Sequence, residues 1–306
     1  MCPCTQLPLG RPRRYRNPTP QPEGFVMSIQ AIDSHIHIWN RNRGETFIAE
    51  KNFPSLIGKS FMPEDLLRML RATNAECAVL VHGPSTVDHS HYCLELCAEH
   101  DMFLSVIGWV DVRASNVMKQ LDLQSANKYF KGIRLTPLLD KNPVAQLSSK
   151  AVKRVAQALA EQDNVLEVLA PAQMLPSIAK LAQELPDLKI IIAHFGLPTG
   201  AFQDLQSWAR NMAFLGDAKN VFVKVSGLPL TGNLTTDQKM IKFHFSELIK
   251  LCGPDRLLYA SNWPVSTATN KPELWRSLLE QEIQELDVEL DASHKILRQN
   301  ALDIYA

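Results

Sequence analysis

The sequence predicts an α/β fold, a (β/α)8 barrel, on three observations. Eight short apolar or β-branched runs recur between residues 27 and 306, amphipathic segments of helical length separate them, and polar side chains cluster where the runs end. Near-continuous apolar strands alternating with helices mark a parallel sheet covered by helices. Eight such units fit a closed barrel better than an open doubly wound sheet. No Gly-rich nucleotide fingerprint follows the first run, which weakens a dinucleotide-binding alternative.

Taken in order, the predicted strands are 29–36, 77–81, 103–110, 132–135, 165–169, 189–193, 221–225 and 257–260. The predicted helices are 63–71, 89–99, 114–130, 149–162, 174–184, 202–209 and 236–251, with a final helical region over 272–305. Segments 40–59 and 138–148 carry no interpretable pattern. Residues 1–26 stand apart: six prolines and the basic cluster Arg11, Arg13, Arg14 and Arg16 replace apolar periodicity. That composition predicts a disordered extension ahead of a single domain spanning 27–306. It lacks the apolar core of a secretory signal, and Met27 offers an alternative start just before the first strand.

Bulk properties suit an ordinary soluble enzyme. Basic and acidic residues number 32 each, and this neutrality argues against nucleic-acid or anionic-membrane partners. The longest apolar run, around 189–193, is strand-sized and far too short to span a membrane. Cysteines at 2, 4, 77, 93, 97 and 252 form no CxxC pair and read as reduced thiols of a cytoplasmic protein. Oligomeric state is not legible, and a homo-oligomer stays open.

Reactive groups of a barrel come from the C-terminal ends of its strands. His35 and His37 end the first strand, and side chains two residues apart on a strand project together. His82 ends the second strand, Arg134 the fourth and His194 the sixth, while Glu167 lies near the end of the fifth. Strand seven ends in Lys224-Val225-Ser226-Gly227 and strand eight in Ser261-Asn262-Trp263-Pro264. Two imidazoles side by side can hold a metal or polarise a substrate oxygen. The bland alternative is a half-exposed strand with incidental histidines, but scattered core histidines would not fall so consistently at strand ends.

The motifs Asp33-Ser34-His35-Ile36-His37-Ile38-Trp39, Gly108-Trp109-Val110-Asp111, Lys131-Gly132-Ile133-Arg134, His194-Phe195-Gly196-Leu197-Pro198, Lys224-Val225-Ser226-Gly227 and Ser261-Asn262-Trp263-Pro264 occur in order. On these the chain resembles the amidohydrolase superfamily. The likeness is to its amidohydrolase-related branch of fuconolactonase-type sugar lactonases and pyrone-dicarboxylate lactonase. The resemblance implies a TIM barrel of amidohydrolase type and a hydrolase that opens a lactone of a sugar acid or small carboxylic acid by water attack. It implies that His35, His37 and His194 polarise the carbonyl, with Arg134, His82 and Trp263 binding a lactone or carboxylate substrate. It leaves zinc or another divalent cation, weakly held on His35 and His37, as an open cofactor.

Two departures matter. The branch normally reads Ser-Asp-Trp-Pro on strand eight, with that aspartate as general base or metal ligand, and here the position is Asn262. It usually has Asp before the strand-six histidine, where this chain has Ala193. An amide cannot take a proton near neutral pH, and loss of a general base costs about 10²–10⁴-fold in rate. A hydrolase using His194 or His82 as base, a catalytically impaired binder of small acids, and a metal-assisted decarboxylase all remain open. A rim salt bridge to Asp111 or Glu167 is the plain alternative for Arg134. Trp263 and Pro264 are expected to shape the loop and wall more than to carry chemistry.

Overall fold

The structure, a computed structural model, describes residues 29–137, 141–198, 205–228, 230–269 and 271–306. The predicted extension 1–26, residues 202–204 of the predicted helix 202–209 and residues 138–140 of the patternless segment 138–148 lie outside the described residues. Eight strands follow one another around one sheet: β1 (Ala31–Ile36), β2 (Ala75–Val81), β3 (Phe103–Gly108), β4 (Phe130–Leu135), β5 (Val165–Val168), β6 (Ile190–Ile192), β7 (Val221–Val225) and β8 (Leu257–Tyr259). Neighbours pair in parallel from β1 to β8. The ring is closed where Ile36 bridges Trp263, the Asn262 N–H donates to the His35 carbonyl at 3.0 Å, and the His37 N–H donates to the Trp263 carbonyl at 2.8 Å. The predicted (β/α)8 TIM barrel is the fold observed.

Side-chain alternation sorts the strands into two packed layers. Cys77, Val79, Ile107, Val165, Ile191 and Leu258 fill the barrel interior, floored by Ile304 and Tyr305 from the C-terminal helix. Leu80, Val106, Ile133, Val168, Ile192 and Val223 face the surrounding helices. On β1 the regular period breaks. Ile32 packs in the interior and His35 also faces it, three positions on, while Ile36 and Ile38 join the outer layer. A register shift between Asp33 and Ile36 absorbs the odd step.

The covering helices are α1 (Pro63–Ala72), α2 (Val87–Glu99), α3 (Val117–Ser125), α4 (Pro143–Leu147), α5 (Lys150–Glu161), α6 (Leu175–Glu184), α7 (Leu205–Met212), α8 (Leu234–Cys252), α9 (Pro272–Glu285), α10 (Leu290–His294) and α11 (Asn300–Tyr305). Helix α3 stops short of its predicted end because Asn127 turns the chain, its side-chain oxygen accepting from the Tyr129 N–H at 3.0 Å. The predicted region 272–305 is interrupted after Glu285, where Asp287 takes φ +50°. Among the described residues no helix is long and apolar enough to cross a membrane.

Candidate active site

The bulge in β1 turns His35 and His37 toward the barrel axis, where their Nε2 atoms stand 3.1 Å apart. His37 Nδ1 lies 2.9 Å from the Val81 carbonyl of β2, which can only accept, so Nδ1 carries the proton and Nε2 a lone pair. That nitrogen accepts a hydrogen bond, and the expectation that neutral His37 polarises a carbonyl does not follow from this orientation. His35 Nδ1 points to the barrel floor. It lies 3.3 Å from Lys224 Nζ on β7 and 3.1 Å from Glu167 Oε1 on β5, and Lys224 Nζ is 2.5 Å from Glu167 Oε2. Lys224 and Glu167 are wholly buried, and breaking such a pair from one side typically costs about 3–5 kcal/mol.

Arg134 reaches the cluster from β4. Its Nη2 donates to the His82 carbonyl at 2.7 Å, its Nε approaches His82 Nε2 at 3.4 Å, and its Nη1 lies 3.5 Å from His35 Nε2. His82 Nδ1 faces the Pro84 carbonyl at 3.3 Å, so its Nε2 lone pair is directed at Arg134. His82 is thus a shelf for the guanidinium, an orientation that leaves no ring lone pair free for a base. The rim ion pair weighed for Arg134 is not what forms. Asp111 accepts from the Arg113 N–H within its own loop, and Glu167 is held by Lys224.

His194, two residues after β6, has φ +54°, and the next residue, Phe195, has φ +53°. Non-glycine residues pay for this conformation, and such strain gathers at functional sites. The bend brings the His194 ring to 4.5 Å from the His35 ring and its Nδ1 to 2.8 Å from Ser226 Oγ. Gly227 makes the space: a Cβ there would lie 2.8 Å from His194 Cγ and Nδ1.

Asn262 also adopts positive φ, +58°, a region asparagine tolerates well. It lines a cavity of about 110 Å³ with Gly227, Leu228, Ser261 and Ser266. Asp33 braces this strand end from β1, its Oδ1 accepting from the Ser261 N–H at 2.9 Å and the His35 N–H at 3.1 Å. Trp263 meets the cluster through its backbone carbonyl. Its indole packs edge-on against Phe61 and lines a separate groove of about 490 Å³ beside α1 and α9, so a substrate contact at the histidines is not what its side chain provides.

Burial governs the electrostatics. His35, His37 and His82 are held well below the usual imidazole range, first by burial and then by nearby cationic groups, and burial pushes His194 down to about 3. All four are neutral at pH 7. Burial lowers Arg134 to about 10, which leaves it charged, and raises Asp33 to about 6 against the pull of its hydrogen bonds.

The fit to a metal is partial. Two imidazole nitrogens on one tetrahedral zinc at about 2.0–2.1 Å would sit about 3.3 Å apart, close to the His35–His37 spacing. A third donor is missing: among the described residues no group of three His, Cys, Asp or Glu side chains could hold an ion. Glu167 is engaged by Lys224, Asn262 brings no charge, and Arg134 stands beside His35 Nε2. The donor set does not fit a resident divalent cation.

The sequence pointed to the histidines and Arg134 but left Lys224 without a facing and offered Glu167 only as a rim partner for Arg134. Phe222 packs in the interior, and two-residue alternation then puts Lys224 there too. Phe47, stacked 4.8 Å from the His37 ring, comes from the patternless segment 40–59 and carried no signal.

A closed parallel barrel with its polar cluster at the C-terminal strand ends has the build of a barrel enzyme. The chain belongs to the amidohydrolase family, which matches residues 32–306. It is similar to an L-fucono-1,5-lactonase of Burkholderia ambifaria, 24% identical over 237 residues that cover 77% of this chain and 80% of that protein. Among solved structures it is similar to an amidohydrolase from Burkholderia multivorans crystallised with HEPES, at TM-score 0.80 and 21% identity, covering 90% of this chain and 98% of the other. The same amidohydrolase crystallised with zinc gives TM-score 0.79. A Pseudomonas putida protein assigned as a 2-pyrone-4,6-dicarboxylic acid hydrolase gives TM-score 0.71 at 21% identity, covering 91% and 98%.

Proposed function

We propose that the chain is a hydrolase of carboxylic ester bonds that opens a lactone of a sugar acid or small carboxylic acid. The observation that carries this reading is the convergence of His37, His194 and Arg134 around His35 at the barrel mouth. Water adds to the lactone carbonyl carbon, the ring C–O bond breaks, and the ring oxygen leaves as a hydroxyl after taking a proton. In this reading Arg134 supplies the donor to the developing oxyanion, an effect worth about 10²–10³-fold. His194, fixed through Ser226, is the base that takes the proton of water. Family membership and the lactonase relative support this chemistry.

The test is hydrolysis of a panel of aldonolactones and pyrone dicarboxylates, with Asn262→Asp beside the native protein. Turnover by the native protein supports the reading, and silence from both forms across the panel sinks it. Asn262 itself favours one other reading, a binder of small acids or lactones with impaired chemistry. Substrate affinity without turnover in the native chain, with turnover restored by Asn262→Asp, would select it. A metal-assisted decarboxylase fits poorly, because strand five offers Glu167, already paired with Lys224, in place of a free metal donor.

A further inference from the structure

We propose that Lys224 fixes His35 as a hydrogen-bond donor toward His37 and thereby keeps the His35–His37 pair closed to metal ions. Two groups beside the histidine pair have no choice of role. An ammonium can only donate, and Lys224 Nζ lies 3.3 Å from His35 Nδ1, so Nδ1 presents its lone pair. In a neutral imidazole the proton must then sit on Nε2. At the other end of the pair, the Val81 carbonyl can only accept, so His37 keeps its proton on Nδ1 and its lone pair on Nε2. The two constraints agree: His35 Nε2–H donates to His37 Nε2 across 3.1 Å. A single line of hydrogen bonds runs from Lys224 through His35 and His37 to Val81, and a proton fills the place where two lone pairs could grip a cation.

Glu167 is the competing partner for His35 Nδ1, and its Oε1 approaches to 3.1 Å. The contact is misaligned, and Oε1 has no hydrogen-bond partner. Glu167 instead holds the ammonium in place through Oε2, and the Tyr305 ring supports Lys224 Nζ from the floor at 5.5 Å. Arg134 Nη1, at 3.5 Å from His35 Nε2, is at the limit of hydrogen-bonding range and stays available to substrate. Lys224 is thus a positioning residue, acting on the pocket only through His35.

Removing the ammonium reverses the arrangement. In Lys224→Met, His35 Nδ1–H turns to the Glu167 carboxylate and Nε2 gains a lone pair beside that of His37. Carboxylate-backed histidine is the usual arrangement behind a metal ligand, and such backing is worth about 10–100-fold in affinity. Full-length protein carrying ¹⁵N-histidine reads the tautomer directly, since a lone-pair ring nitrogen resonates far downfield of an N–H, with His35 identified by the signals lost in His35→Gln. The expected native result is Nδ1 downfield and Nε2 upfield, exchanged in Lys224→Met. Calorimetric titration with zinc is expected to show at least about tenfold tighter binding by Lys224→Met than by the native protein, a gain abolished by adding His35→Gln.

A native His35 protonated on Nδ1, a tautomer unmoved by Lys224→Met, or a zinc gain that survives His35→Gln each overturns the proposal. If the unpaired Glu167 prevents folding, the double variant Lys224→Met/Glu167→Met removes both members of the buried pair and serves instead. In it zinc affinity is expected to rise, because no ammonium holds the proton on His35 Nε2, and an affinity equal to that of the native protein overturns the proposal. Neither readout needs a substrate, so the outcome is independent of the hydrolase reading.

Discussion

Gly227→Ala isolates the contact that shapes the His194 loop. Gly227 has φ +70°, and an added methyl would lie 2.8 Å from His194 Cγ and Nδ1 and 2.9 Å from its Cβ. Left-handed backbone costs a non-glycine residue about 1–2 kcal/mol, and overpacking a buried site adds about 1–3 kcal/mol. The sum is about 2–5 kcal/mol, and each kcal/mol lowers Tm by about 2–4 °C in a domain near this size. The ring must also move to relieve the clash, and a displacement of about 1 Å in a catalytic group can cost about 10²-fold in rate. Gly44→Ala is the matched control, because Gly44 has φ +73° but nothing within 4 Å of an added Cβ. It should lose only the strain, about 1–2 kcal/mol, and keep its activity. Thermal melts and kcat on a hydrolysed lactone compare the two. If Gly227→Ala loses no more Tm and no more kcat than Gly44→Ala, the close approach of Gly227 to His194 is not what sets that histidine's place.

Arg134→Lys should fold and lower kcat/KM by about 10²–10³-fold, since an ammonium cannot keep the His82 carbonyl while presenting a second donor to substrate; a loss below tenfold in steady-state assays would remove Arg134 from the oxyanion side. Asn262→Asp should raise kcat by about tenfold or more by restoring a carboxylate base, and an unchanged kcat would mean that His194 already meets the need. Stability should fall on acidification. His35, His37, His82 and His194 have folded pKa values below that of free imidazole, so the unfolded chain takes up protons that the folded one refuses. Their contribution is complete above about pH 6.5 and is lost as pH drops, for His194 down toward about 3. Each such group adds about 1.4 kcal/mol per pH unit to the slope. Urea unfolding between pH 6 and pH 5 should therefore be shallower in pH dependence by about that amount for His194→Asn, and an equal slope would contradict the burial argument.

The barrel was legible because each strand is a short apolar run between helices, a pattern that survives errors of a residue or two at the ends. The predicted run 221–225 matches β7 (Val221–Val225), whereas helix α3 was overread through Asn127, where side-chain chemistry outweighs periodicity. His35, His37 and His194 were legible because strand ends are where barrel chemistry gathers. Lys224 was not, because its facing depends on register, and one register shift on β1 decides which residues Lys224 meets across the axis. The carbonyls of Val81 and His82 carry no mark in the sequence at all, yet they orient His37 and hold Arg134. Phe47 reaches the His37 ring from a loop whose path only the folded barrel defines.

Charge balance links Asn262 to the kind of molecule the mouth can hold. Lys224 and Glu167 neutralise each other on the floor, the four histidines are neutral, and Arg134 keeps its positive charge in a buried setting. An aspartate at 262 would bring a further negative charge to the mouth; asparagine brings none. The substitution therefore has two effects of opposite sign, a weaker base and a stronger hold on anions, including the carboxylate that lactone opening releases. Asn262→Asp should raise kcat and loosen inhibition by the hydroxy-acid product together, and product inhibition constants measured on both forms test the pairing. A faster enzyme with unchanged product inhibition would leave the hydrolase intact but place the carboxylate beyond the reach of Arg134. Tighter product binding in Asn262→Asp would show that Arg134 does not set the charge preference of the site.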